Sequence, residues 1–192
     1  MDVAVYSGSF NPLHIGHLAI IKYMIEVAGF DMVYLIVSPK NPLKDSISSD
    51  SGTDRYIAAT EAVNRHFGIS VSDETARVKV DDIELNMPEP HYTIRTLDAL
   101  RSREPENAFT FVMGADNLAD IRRWRDYTRL MSDFGVAVYP RTGFDLETIK
   151  QDLLNENPAY NIQIINAPMV DISSTQIREA VSRGEDVSHL LM

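Results

Sequence analysis

The 192-residue chain contains no cysteine, which excludes disulfides and thiolate metal centres and leaves histidine and carboxylates as metal ligands. Positive charge is scarce as well. Eighteen Lys and Arg face 28 Asp and Glu, giving a formal net charge of −10 and a pI near 4.9. That balance argues against broad binding to nucleic acid or anionic membranes, so any phosphate site must be local. Long apolar runs are missing: Met32 to Val37 falls far short of the ~20 residues that span a bilayer, and the first residues lack the basic stretch of a signal peptide. A soluble, cytoplasmic protein without membrane or nucleic-acid partners is expected. With 44% hydrophobic residues, the chain is long enough for one full core and too short for two ordinary domains, so residues 1–192 are expected to form a single domain.

What is present alternates. Short β-branched and aromatic runs (Val3 to Tyr6, Val33 to Val37, Phe109 to Met113, Val136 to Tyr139, Ile162 to Ile165) are separated by helical patterns at Ile15 to Ala28, Arg55 to Phe67, Thr93 to Arg101, Leu146 to Leu154 and from Ser173 onward. Weaker strands are expected around 69–71 and 78–80, and a helix running through Trp124. Strand-helix alternation predicts an α/β fold: one Rossmann-like open, mostly parallel sheet with helices on both faces. Residues 39–54, rich in serine and poor in apolar side chains, read as a mobile loop, either a lid or an ordinary surface insertion.

The first strand ends in Ser7-Gly8-Ser9-Phe10-Asn11-Pro12-Leu13-His14-Ile15-Gly16-His17, and a helix is expected to start near Leu13 or His14. A helix N-terminus carries unpaired N–H groups and partial positive charge, so this loop is suited to an anion. His14 and His17, three apart, share a helix face. Gly16 removes a side chain between them and lets a ligand or neighbouring backbone approach. Two imidazole donors plus helix amides can stabilise the charge that grows on phosphate oxygens during an in-line displacement, with no nucleophile required. The same pair can be packed polar residues, an i, i+3 metal pair or a compositional accident; the framework of Gly8, Phe10, Pro12 and Gly16 favours phosphate, and His66, His91 and His189 lie far off in sequence.

Near the other end, Ser173 and Gln176 form a predicted capping box. Capping leaves Arg178 unexplained: it lies four after Ser174 and three after Thr175, so hydroxyls and a guanidinium converge beside a helix start as a second phosphate grip. In the middle, Gly114-Ala115-Asp116-Asn117 follows a strand at the place where α/β sheets bind ligands, and strands one and four are the expected central pair. Asp116 can accept from ribose hydroxyls or cap a helix. Trp124, the single tryptophan, lies among Arg122, Arg123 and Arg125; it can be core, can stack on a flat heterocycle, or can sit in a solvated basic patch. The Tyr92-Thr93 helix start can hold a small anion such as a ring carboxylate, or Thr93 can be a cap.

The run G-S-F-N-P-x-H-x-G-H, read here at Gly8 to His17, resembles the signature of the HxGH nucleotidylyltransferase superfamily. Ile172-Ser173-Ser174-Thr175-Gln176-Ile177-Arg178 is similar to that superfamily's I-S-S-T-x-x-R motif. With Gly114 to Asn117, Trp124 and Tyr92 to Leu97, the chain resembles bacterial nicotinate-nucleotide adenylyltransferases over nearly its whole length. The resemblance implies a Rossmann-like sheet and adenylyl transfer from ATP to nicotinate mononucleotide, giving deamido-NAD and pyrophosphate. It implies that His14 and His17 are catalytic, touching the nucleotide phosphates, and that Gly8, Ser9, Phe10, Gly16, Gly114, Asp116, Ser173, Ser174, Thr175 and Arg178 serve ATP. Tyr92 and Thr93 would read the ring carboxylate and Trp124 would stack on the pyridine ring. Mg2+ would ride on the ATP phosphates. One departure stands out: Asn41-Pro42-Leu43-Lys44 replaces the family's Pro-Pro-His-Lys, so the histidine is lost while Lys44 remains to hold the acceptor phosphate, with Lys40 a weaker candidate. Arg55 and Arg141 match family positions loosely and read as surface charges. Nicotinamide mononucleotide and phosphopantetheine are rival acceptors, and a nucleotide-binding regulator without turnover is a rival of another class.

Overall fold

The computed structural model describes residues 1–39, 51–69, 73, 75–170 and 172–192. Within them, β1 (Asp2–Gly8), β2 (Met32–Val37), β3 (Val78–Asp81), β4 (Ala108–Gly114), β5 (Val136–Tyr139) and β6 (Ile162–Ile164) form one sheet in the order β3-β2-β1-β4-β5-β6. Every pairing is parallel, with Val5 opposite Tyr34 on one side and Phe111 on the other. β1 and β4 are neighbours at the centre, as expected, and the order reverses there, which opens a crevice at their C-terminal ends. Residues 70–72 and Lys44 lie outside the described residues, as does most of the 39–54 loop.

Parallel strands are joined by crossovers, so helices cover both faces and the strands read as continuous apolar runs. Val33 to Val37 is buried throughout. On one face, α1 (Ile15–Glu26) and α2 (Gly52–Phe67) bury Ile21, Met24, Ala59 and Val63 against Ala4, Tyr6, Leu35 and Val37. On the other, α3 (Thr93–Arg103), α4 (Ala115–Ala119) and α6 (Leu146–Glu156) bury Leu97, Leu100, Leu118 and Leu153 against Val3, Val5, Ile36 and Phe111. Between them the short α5 (Tyr127–Arg129) runs into a π turn at Leu130–Phe134. The last helix, α7 (Ser174–Ser182), has its own small core of Ile177, Ala180 and Val187. It is joined to the rest where Leu191 pairs with His14 in an isolated antiparallel bridge.

Two expectations need correction. The helix after β4 stops at Ala119; a 3-10 turn at Ile121–Arg123 follows, and Trp124 is extended (φ −81°, ψ 145°). The chain turns soon after, with Asp126 in the left-handed region at φ 51°, a conformation that a continuing helix excludes. Helix α2 also starts earlier than Arg55, because Ser51 and Asp54 form a reciprocal capping box that pulls the start back to Gly52.

Leu35 and Ile36 are both fully buried and belong to the cores on opposite faces. Leu35→Ala and Ile36→Ala are each expected to cost ~2–5 kcal/mol in urea denaturation. A loss of that size from one and less than ~0.5 kcal/mol from the other would mean that only one face is packed.

Candidate active site

The loop leaving β1 turns sharply at Phe10, whose backbone is left-handed (φ 45°), an uncommon state for a side chain of this size. Burial holds it there: the Phe10 ring packs edge-on against Tyr6 and His17, at centroid distances of 5.6 and 5.2 Å. Three side chains from distant segments then capture the loop's carbonyls. Arg55 Nη1 donates to Ser9 O at 2.8 Å, Arg178 Nη1 to Asn11 O at 2.7 Å, and Ser174 Oγ to Pro12 O at 3.0 Å. Arg55 also donates to the carbonyls of Ser38 and Pro39, where β2 ends.

His14 is the N-cap of α1. Its Nδ1 accepts the Gly16 N–H at 3.2 Å, and the Nδ1 of His17 accepts the His14 N–H at 3.3 Å. This is a reciprocal capping box built from two imidazoles. The rings stack, with centroids 3.8 Å apart and planes 34° from parallel. Burial is the main reason that His14 is pushed down to about 4 and His17 to about 3; Arg141 adds to both, and His14 adds to His17. Both are therefore neutral at pH 7. A neutral ring whose Nδ1 accepts a hydrogen bond carries its proton on Nε2, so the pair supplies two uncharged N–H donors. The expected share of helix amides shrinks accordingly, because the Gly16 N–H is already taken by His14. Gly16 is needed for that closeness: a Cβ there would stand 3.0 Å from the His14 ring and 3.3 Å from Ile172.

Across the crevice, Gly114 ends β4. A Cβ on it would collide with Asp116 Oδ1 and approach Tyr139 and Arg141 to 3.2 and 3.3 Å. The bare backbone thus makes room for Asp116, which faces Arg141 at 3.8 Å, while the Arg141 guanidinium lies 5.2 Å from the Tyr139 ring centre. Asp116 is inside the first turn of α4 rather than at its cap, which is Gly114, so capping does not explain it. Arg55 corrects the surface-charge reading, since it is buried, at 6% exposed, whereas Arg141 is an exposed charge as expected. A signal for Arg55 existed, since a cation near a helix start opposes the macrodipole and calls for another partner.

At α7 the Ser173–Gln176 capping box is present: Ser173 Oγ accepts from Gln176 N at 3.2 Å and Gln176 Oε1 accepts from Ser173 N at 2.7 Å. Arg178 Nη2 donates to Thr175 Oγ1 at 3.1 Å. Ser174 departs from the expected convergence, because its hydroxyl is committed to Pro12.

Helix α3 starts at Thr93 with Tyr92 as N-cap, and no side chain caps it; Thr93 is the first helical residue, not a cap. Beside this turn, His91 Nδ1 is buried without a partner among the described residues, a polar group that a ligand can satisfy. Trp124 is half-buried and packs edge-on against Phe111 at 5.9 Å, on the same side of the sheet as α3. Its arginine neighbours are surface groups: Arg122 pairs with Glu156 at 2.9 Å and Arg125 lies 3.6 Å from Asp126. Among the described residues no three His, Asp or Glu side chains are placed to hold a metal ion, and no helix is long and apolar enough to cross a membrane.

The profile of the cytidylyltransferase-like family matches residues 5–180. The chain is 34% identical to a Flavobacterium johnsoniae protein named "Probable nicotinate-nucleotide adenylyltransferase", over 100% of this chain and 92% of that one. It is 36% identical to a protein of the same name from Bacteroides fragilis, over 97% and 85%. In three dimensions it is similar to Plasmodium falciparum nicotinic acid mononucleotide adenylyltransferase complexed with NaAD, with a TM-score of 0.74, 21% identity and 97% and 87% coverage.

Unfolded histidine titrates near 6.5. Between that value and about 4 the unfolded chain binds more protons at these two positions than the folded one, so their contribution to stability is present above pH 6.5 and is lost as the pH falls. In an NMR titration His14 and His17 should keep the neutral Nε2–H form at pH 5.5. A protonation midpoint at or above pH 6 for either would contradict the buried capping pair.

Proposed function

The chain belongs to the cytidylyltransferase-like family, and we infer that it acts as a nicotinate-nucleotide adenylyltransferase. It transfers the adenylyl group of ATP to nicotinate mononucleotide, forming deamido-NAD and pyrophosphate in the biosynthesis of NAD. The observation that carries the catalytic assignment is the stacked pair of neutral imidazoles capping α1 at the C-terminal end of the central strand.

An oxygen of the acceptor phosphate attacks the α-phosphorus of ATP, and the bond from that phosphorus to the bridging oxygen of the β-phosphate breaks. A phosphate monoester is largely dianionic at pH 7, so the nucleophile carries no proton that must be removed and no general base is needed. What remains is positioning and stabilisation of charge on the equatorial oxygens. His14 and His17 do this as neutral donors preorganised by their backbone bonds; they pay no reorganisation during the reaction. Arg141 adds a positive charge beside them, and Arg178 with Thr175 faces the outer phosphates. Gly8, Ser9, Phe10 and Gly16 shape the nucleotide seat, and Gly114 and Asp116 face the ribose. Ser173 caps and Ser174 pins, so both serve ATP through α7 and the loop.

For the acceptor, the Thr93 helix start with Tyr92 reads the ring carboxylate, since an uncapped helix start favours a small anion. Trp124, half-buried beside Phe111, stacks on the pyridine ring. Lys44, outside the described residues, is assigned to the acceptor phosphate by motif alone. Mg2+ would be carried on the ATP phosphates rather than by a protein cage, and would supply neutralisation of phosphate charge there. A cytoplasmic location fits the absence of cysteine.

Pyrophosphate release from ATP and Mg2+ should be fastest with nicotinate mononucleotide when compared at equal concentration with nicotinamide mononucleotide and phosphopantetheine. Preference for another acceptor would overturn the reading of Thr93 and Trp124, and silence with all three would remove the enzyme assignment. His17→Ala should lower kcat by ~10²-fold or more with the fold retained by circular dichroism. Near-normal turnover would end its catalytic role.

A further inference from the structure

We propose that Glu84 is a positioning residue for the acceptor. Its buried carboxylate ties the end of β2 to the first turn of α3, and so sets where the Tyr92–Thr93 helix start stands relative to the nucleotide loop. The proposal deepens the acceptor reading above and rests on it.

Glu84 lies in a 3-10 turn at Ile83–Asn86 and is 4% exposed. Its two oxygens are divided between two elements: Oε2 accepts from Ser38 Oγ at 2.5 Å, and Oε1 accepts from Thr96 Oγ1 at 2.8 Å. Ser38 is itself a hub. Its N–H donates to Gly8 O at 3.0 Å, its carbonyl accepts from Arg55 at 2.8 Å, and its hydroxyl lies 3.4 Å from that of Ser7. At the far end, Thr96 is 2% exposed, and its N–H donates to Tyr92 O at 3.2 Å. A continuous hydrogen-bonded path therefore runs from Gly8, in the nucleotide loop, through Ser38, Glu84 and Thr96 to Tyr92.

Stability alone is a poor reason for this arrangement. Burying a carboxylate is costly, and an apolar side chain of similar volume between the same elements would commonly serve stability as well or better. What the carboxylate adds is direction. Each oxygen accepts one hydroxyl at a short distance, which fixes the spacing between the end of β2 and the start of α3. Misplacement of an acceptor by a fraction of an ångström is felt in binding and alignment, well away from the reacting atoms.

The test is steady-state kinetics on Thr96→Val, which removes the hydroxyl and keeps the shape, with Thr96→Ser as the conservative rescue. The expected result for Thr96→Val is a KM for nicotinate mononucleotide raised about 3- to 10-fold, the effect of one hydrogen bond, with kcat and the KM for ATP within about twofold. Thr96→Ser should restore it. In a Glu84→Gln background, Thr96→Val should add less than about twofold, because the two groups act as a unit. A fall in melting temperature with both KM values unchanged would overturn the proposal, as would an equal rise in both. Trp124→Ala separates the two layers of argument: if it raises the acceptor KM while Thr96→Val does not, Glu84 loses its role and the acceptor pocket stands. If neither moves that KM, both fall.

Discussion

Capture of three backbone carbonyls, those of Ser9, Asn11 and Pro12, holds the rest of the site in place. The loop after β1 must turn within a few residues from a strand buried at Val3 to Tyr6 into a helix whose first residues are proposed to meet the nucleotide phosphates. Its carbonyls would repel that ligand and would be costly to bury unpaired. Arg55 from α2 and Arg178 and Ser174 from α7 draw them away and satisfy them. Sequence separations of 46, 167 and 162 residues mean that the loop takes this form only once the sheet has assembled and both ends of the chain have met.

That constraint also explains how an acidic protein handles phosphates. A net charge of −10 opposes general attraction of nucleotides, so the proposed site would rely on neutral donors and a few placed guanidinium groups at short range. Two imidazoles kept uncharged by burial suit this task, since they donate without requiring a counter-ion in the apo site. Their stacking at 3.8 Å is tolerable for the same reason: two charged rings at that distance would repel strongly.

Much of this was readable in the residues because it is local. Strands of a parallel sheet are contiguous apolar runs, which made β1, β2, β4 and β5 plain, and the capping box of Ser173 and Gln176 is written in four residues. His14 and His17 declared themselves by spacing within one turn. What escaped depends on partners remote in sequence. Arg55 reads as a surface charge because the Ser9 carbonyl it captures lies 46 residues away. Glu84 carried no motif, since its meaning comes from Ser38 and Thr96. The path around Trp124 is hidden because the helix ends at Ala119 and the 3-10 turn at Ile121–Arg123 that follows it leaves no apolar signature.

The most direct measurement of the central claim is backbone amide hydrogen exchange with and without ATP and Mg2+. Slowed exchange is expected at residues 8–17 and 173–178, with no change at the opposite, N-terminal end of the central strands around Asn107 and Ala108. Protection confined to that end, or none in the loop after β1 at saturating nucleotide, would contradict the assignment of this clamped loop as the nucleotide seat.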